Sequence, residues 1–176
     1  HADAERRLWR WLLDIDLVGR LRSLRQPLPP PLLHMLAEPR RLGVTVADGL
    51  WLRVVDLPGA LEARGYGGVG ALVLEVADAM CPWNDGRWRL DTGGPSAPDG
   101  SDPSAARARH AATIERTTDE PDLRLGAADL GAAYLGGVRF AELAAAGRVV
   151  EARPGSLVLA DRLFASDRAP WCLTMF

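Results

Sequence analysis

Apolar residues recur at three-and-four spacing along AERRLWRWLLDIDLVG (4–19). Leu8, Trp11, Leu12 and Ile15 line up on one face, and Arg6, Arg7, Arg10 and Asp14 fall off it. That period predicts an amphipathic helix with a broad apolar stripe. Nothing nearby in sequence is an obvious packing partner for it. RQPLPPPLLHMLAEPRR (25–41) follows, with prolines at 27 and 29–31. Fixed proline φ angles make this a stiff connector leading into a short helix.

From about Leu50 the pattern changes. WLRVV (51–55) reads as a strand. DLPGALEAR (56–64) reads as a short helix, with Asp56 as N-cap, Pro58 in the first turn and Gly65 past the end. ALVLEVA (71–77) predicts a strand with Leu72, Leu74 and Val76 on one face. RWRLD (87–91) alternates, placing Trp88 and Leu90 inward. TGGPSAPDGSDPS (92–104) predicts a long hairpin loop, ARARHAATIER (106–116) a long strand and PDLRL (121–125) another. Two short helices over 127–137 and 139–147 end in glycines, RVVEA (148–152) is a last strand, and PGSLVLADRLF (154–164) a last helix with Pro154 in its first turn. The expected fold is α+β: an antiparallel sheet covered on one face by short helices.

Composition narrows the function classes. The 176 residues are 48% apolar, enough for a real core. A formal charge of −2 opposes a nucleic-acid partner. No stretch approaches the ~20 apolar residues of a membrane span, and no signal peptide is visible, so the expected location is cytoplasmic. The chain begins at His1 and not at Met, as a piece of a longer protein would. Cys81 and Cys172 do not make a disulfide framework.

Several motifs suggest chemistry and fail on context. GYGGVG (65–70) matches a dinucleotide loop, but it follows a helix and leads into a strand, the reverse of the required order. RRLGVT (40–45) resembles an acetyl-CoA pyrophosphate loop but ends in Thr45, with no helix pattern after it to supply amides. His110 falls on the apolar side of its strand beside Ala112 and Ile114, and His34 has no neighbouring Cys or carboxylate cluster. No metal-ligand spacing appears. Cys81 and Cys172 are read as structural thiols, since neither has a His partner in sequence. Trp83, Trp88, Tyr134 and Trp171 have two readings, core packing or the wall of a lipid or ligand pocket.

The end of the chain is unusual. RAPWCLTMF (168–176) is apolar, whereas free termini are commonly polar and frayed. A Trp-anchored tail would hold the Phe176 carboxylate at a defined, partly desolvated point. Such a carboxylate has a raised pKa and can act as a general base. A tail tucked in only for stability is the other reading.

Taken together, LWRWLLDIDLV (8–18), LWLRVVDLPGALEARGY (50–66), CPWNDGRWRL (81–90), PDLRLGAADLGAAYLGGV (121–138), AAAGRVVE (144–151) and RAPWCLTMF (168–176) resemble the Eis (enhanced intracellular survival) family of GNAT acetyltransferases. Members carry two GNAT-like domains and then a domain like sterol carrier protein 2. They acetylate amines, aminoglycosides among them, with acetyl-CoA. The resemblance implies that residues 1–45 are the tail of the second GNAT-like domain plus a proline-rich linker, and that 46–176 are the sterol-carrier-like domain. It implies that acetyl-CoA is bound by the first GNAT-like domain and by no residue of this chain. It also implies that the C-terminal carboxylate, here on Phe176, reaches the transfer site as general base, with Trp171, Cys172 and Trp83 anchoring the tail. The family's tyrosine acid has no match here. The implied partners are the N-terminal GNAT-like domains, an amine substrate and further copies in a hexamer. This chain alone is expected to be inactive. The rival expectations are a stand-alone lipid- or sterol-binding module and an oligomerisation domain.

Overall fold

The computed structural model describes residues 2–93 and 110–174. Two compact units divide the chain: a smaller one of His1–Trp51 with Trp171–Phe176, and a larger one of Leu52–Pro170. In the smaller unit, helix α1 (Ala2–Leu13) carries Asp3 and Glu5 in its first turn and Arg10 in its last, which suits the helix dipole. The proline segment forms two 3-10 turns, Pro31–His34 and Pro39–Leu42, with proline at the first position of each. The apolar stripe expected to be buried is largely exposed: Leu8 is 55% and Trp11 63% accessible, while Trp9 is the buried residue at 8%. Among its described residues this unit has no second α-helix to cover that face.

The larger unit is built on a five-stranded sheet: β1 (Ala71–Ala77), β2 (Gly86–Asp91), β3 (Thr113–Arg116), β4 (Leu123–Gly126) and β5 (Val149–Glu151). The order is β3-β2-β1-β4-β5. All neighbours are antiparallel except β1 and β4, which run parallel, so the sheet is mixed and not wholly antiparallel as expected. The parallel pair needs the chain to cross from β3 to the far side of β1. Asp122 makes that crossing. Its N–H donates to Val73 O (2.8 Å), and its Oδ2 accepts from Val73 N (2.7 Å). Its carbonyl accepts from the N–H groups of Ala152 and Arg153, and the Arg153 Nε lies 2.6 Å from its Oδ1. One buried residue therefore sets where β4 and β5 begin to pair.

Leu72, Leu74, Val76, Trp88 and Leu90 turn to one face, as their alternation predicts, and are buried. The opposite face carries charge, with Glu75 holding Arg87 (3.1 Å) and Arg124 (3.6 Å). Helices α2 (Leu57–Ala63), α3 (Ala127–Tyr134), α4 (Phe140–Ala145) and α5 (Ser156–Phe164) contribute their apolar residues to the core formed with the buried face. Asp56 caps α2 by accepting from Gly59 N, as expected. Asp161 of α5 accepts from Phe140 N (2.6 Å), so one helix caps another. α5 starts at Ser156, after Gly155 at φ +89°, two residues later than the Pro154 start expected. Phe164 meets Tyr66 and Phe140 edge-to-face at 5.4 and 4.9 Å, each pair adding about 1 kcal/mol beyond area burial. The Arg64 guanidinium lies 4.2 Å from the Phe164 ring centroid and donates to the carbonyls of Tyr134 and Phe164.

One strand expectation fails, and another is met in part. The segment expected as a strand over 51–55 is irregular. Its carbonyls bond to side chains instead of a neighbouring strand: Val55 O accepts from Asn84 Nδ2 (3.0 Å) and Trp83 Nε1 (2.8 Å). Asn84 also accepts from Leu57 N (3.0 Å) and donates to Asp78 Oδ2 (3.1 Å). Asp78 in turn pairs with Arg53 and accepts from Met80 N and Cys81 N. This polar knot replaces the ladder. The strand expected over 106–116 spans Thr113–Arg116, with His110 joined to Tyr66 by a lone bridge. Its start at 106–109, and the expected loop from 94 on, lie outside the described residues.

Burial by itself would push the Asp78 carboxyl up. The N–H groups of Cys81 and Met80, the Asn84 amide and the Arg53 charge outweigh that, and the carboxyl is held below the usual aspartate value. A depressed folded-state value means this stabilisation is complete above the ordinary pKa and is lost as pH falls through the lower one. Stability measured by urea unfolding should therefore decline below about pH 4, and Asp78→Asn should flatten that decline. An identical acid profile in the variant would contradict this. Asp122→Ala should cost about 3 kcal/mol, because Val73 N–H and the Arg153 charge lose their acceptor. A loss below about 0.5 kcal/mol, the range of an ordinary surface change, would refute the role given to Asp122.

Candidate functional site

Sequence points to the tail, and local packing explains how it leaves the larger unit. After α5 the chain passes Gly136 and Gly137. Gly136 has φ +77°, and a Cβ there would lie 2.4 Å from Phe164 O. A Cβ on Gly137 would lie 2.7 Å from Pro170 Cδ. Only glycine admits the chain this closely, so the pair defines the path to Pro170.

Beyond Pro170 the tail belongs to the smaller unit. Trp171 Nε1 donates to Arg25 O (2.8 Å), and Arg25 Nη1 donates back to Leu173 O (2.9 Å). Cys172 Sγ lies 3.3 Å from Thr174 O. Phe176, the expected carboxylate donor, lies outside the described residues. Trp83 lies in the larger unit, 59% accessible, with its indole committed to Val55 O. Arg25 is a residue that sequence reading missed. It sits in the proline connector, and nothing local to it signals a partner nearly 150 positions away.

The other candidates have structural tasks. Cys81 is a buried free thiol whose N–H donates to Asp78. Cys172 is also free. His110 exchanges backbone hydrogen bonds with Tyr66, both 3.0 Å, and His34 ends a 3-10 turn. GYGGVG is a loop packed on α5: Gly67 N donates to Leu163 O (2.8 Å), and a Cβ there would meet Arg162 O at 2.8 Å. RRLGVT ends its 3-10 turn at Gly43, φ +62°, and no helix follows before α2. Neither segment presents a phosphate cradle.

Two of the aromatics in the larger unit commit their polar atoms to backbone carbonyls. Trp88 is buried and its indole donates to Asn84 O (2.8 Å); Tyr134 Oη donates to Ala60 O (2.8 Å). The larger unit also bears an open hollow of ≈ 580 Å³, lined by residues including Glu120, Asp122, Arg124, Glu151 and Arg153. A second of ≈ 290 Å³ shares Glu120, Asp122 and Arg153. Their charged linings suit water better than a lipid chain. No helix among the described residues is long and apolar enough to cross a membrane.

Comparison with known proteins agrees with this architecture. The sterol carrier protein domain family matches residues 57–173. An uncharacterised N-acetyltransferase of Streptomyces avermitilis is 46% identical over 93% of this chain and 36% of its own length. The N-acetyltransferase Eis of Mycobacterium tuberculosis is 38% identical over 94% of this chain and 37% of its own. The crystal structure of Eis1 from Mycobacterium abscessus superposes with a TM-score of 0.69 at 34% identity, over 96% of this chain and 39% of that one. The chain thus spans well under half the length of these relatives and corresponds to their C-terminal part. Its sheet, helices and matched residues together show that the chain belongs to the sterol carrier protein domain family.

Proposed function

We propose that this chain is the C-terminal part of an acetyl-CoA-dependent N-acetyltransferase acting on amines, aminoglycosides included. The observation that carries the reading is the match to N-acetyltransferases over more than nine-tenths of the chain. In this reading residues 1–45 complete a GNAT-like domain, and 46–176 form the sterol-carrier-like domain. The exposed Leu8 and Trp11 face of α1 supports it, because a helix face of that kind is stable when packed. Acetyl-CoA supplies the acetyl group and is held by the preceding GNAT-like domain. Copies of the whole protein assemble as a hexamer.

This chain's own contribution is the Phe176 carboxylate. An amine attacks only after losing its proton. A carboxylate held within hydrogen-bond reach of the nitrogen accepts that proton and speeds the step, provided it is ordered there before the reaction. A lipid-carrier role has the family's name in its favour, but the charged linings of the two hollows suit a lipid chain poorly.

Mixed with acetyl-CoA and an aminoglycoside, the 176-residue chain should release no free CoA above the uncatalysed rate. Turnover by this chain would overturn the assignment of the acetyl-CoA site to another domain. In the full-length protein, deletion of Phe176 should lower kcat by about 100-fold, within the range for loss of a general base, and leave acetyl-CoA affinity unchanged. Equal losses in both would mark the tail as structural.

A further inference from the structure

We infer that residues 117–121 form a taut strap across the charged face of the sheet, and that this strap locks the register of β3. A strand's pairing is normally fixed by its buried side chains, since a slip carries them off the core face. β3 has four residues, and of these only Ile114 is buried. One buried side chain specifies register weakly, so another constraint has to hold this edge strand in place.

Both ends of the strap are fixed within the larger unit. Thr117 N–H donates to Arg87 O (3.1 Å), and Arg87 pairs with Glu75 of β1. Asp122 N–H donates to Val73 O (2.8 Å) on the other side of β1, where β4 begins. Between these points the chain passes β2 and β1 and moves back by two positions along β1. Three inter-strand steps of about 4.8 Å and two residues of about 3.4 Å set the ends roughly 16 Å apart. The five steps from Thr117 to Asp122 reach at most roughly 18 Å when fully extended. Little slack remains. Pro121 suits such a path, because it fixes its own φ and biases Glu120 before it towards an extended backbone.

Two arginines hold the strap against the sheet. Arg87 Nη1 donates to the carbonyls of Asp119 (3.1 Å) and Thr118 (3.4 Å) and lies 3.5 Å from Glu120 Oε1. Arg89 Nη1 donates to Asp119 Oδ2 (3.1 Å). Arg87 and Arg89 alternate with the buried Trp88 and Leu90, so the strap lies on the face opposite the core.

The lack of slack opposes movement of β3 in one direction. A slide of two residues towards its C-terminal end would put the ends roughly 20 Å apart, beyond the reach of five steps. The reverse slide would break the two backbone hydrogen bonds, each 3.0 Å, between His110 and Tyr66 just before β3. The strand is thus held from both ends.

The test alters the length of the strap in the full-length protein and reads amide hydrogen exchange of residues 113–116 and 123–126 by mass spectrometry. Deleting Thr118, an exposed residue, leaves four steps that reach at most roughly 14 Å, so β3 or β4 must leave its place. Exchange of one of them should then be at least about 10-fold faster. Inserting two glycines between Thr118 and Asp119 adds slack without removing a contact. The sheet should still form, with β4 exchange unchanged and β3 exchange several-fold faster, well beyond the roughly twofold that ordinary loop lengthening brings. A deletion that leaves both strands as protected as before would overturn the proposal, because a slack loop tolerates it. If the deletion variant does not fold, the insertion decides: β3 exchange unchanged by the added slack would show that the strap sets no register.

Discussion

Everything after the β1–β2–β3 meander depends on how the chain returns to the far edge of β1. A parallel neighbour requires a crossing that leaves polar backbone exposed to the core unless something bonds to it. Asp122 supplies those bonds. Its N–H and carboxylate fill the two ladder positions on Val73, and its carbonyl takes the N–H groups of Ala152 and Arg153. Once β4 is placed, α3 and α4 can fold back over the sheet and deliver β5 to the edge of β4. α5 then closes the aromatic core and aims the tail through the Gly136–Gly137 gap.

A second constraint acts at the other end of the sheet. The Asp78–Asn84 knot ties the irregular 53–57 segment to the β1–β2 connection and presents Leu57 and Leu61 to the core. Hydrogen bonds from amides and a guanidinium to a buried carboxylate are stronger than neutral ones. This explains why a segment of strand-forming residues is held as coil. Both knots are polar and both lie at junctions between elements. Functional readings of Cys81, Trp83 or Asp122 must therefore account for structural bonds those residues already make.

Local features were legible in the residues. Asp56 announced the cap of α2, and the alternation in 71–77 and 87–91 announced which side chains face inward. What could not be read was long-range. WLRVV has the composition of a strand, and only Asn84, some thirty positions on, reveals that its carbonyls are taken. The parallel β1–β4 pair leaves no trace in alternation, because side chains alternate between faces in the same way whichever way the neighbouring strand runs. The stripe on α1 was legible as apolar, but its exposure depends on what surrounds it. The apolar tail drew attention to Trp171, while its partner Arg25 is one arginine among 21 and carries no mark.

The picture that results is a domain with a buried apolar core, a charged opposite sheet face, and a tail from Trp171 that belongs to the unit in which the chain began. In the proposed reading, its contribution to acetyl transfer is to deliver a terminus. The most direct test is the intact mass of the native protein isolated from its source. The account predicts a mass well over twice 19.0 kDa, since this chain covers only 36% of a relative's length. A native mass near 19.0 kDa would contradict it, because no partner domain would exist to receive the carboxylate.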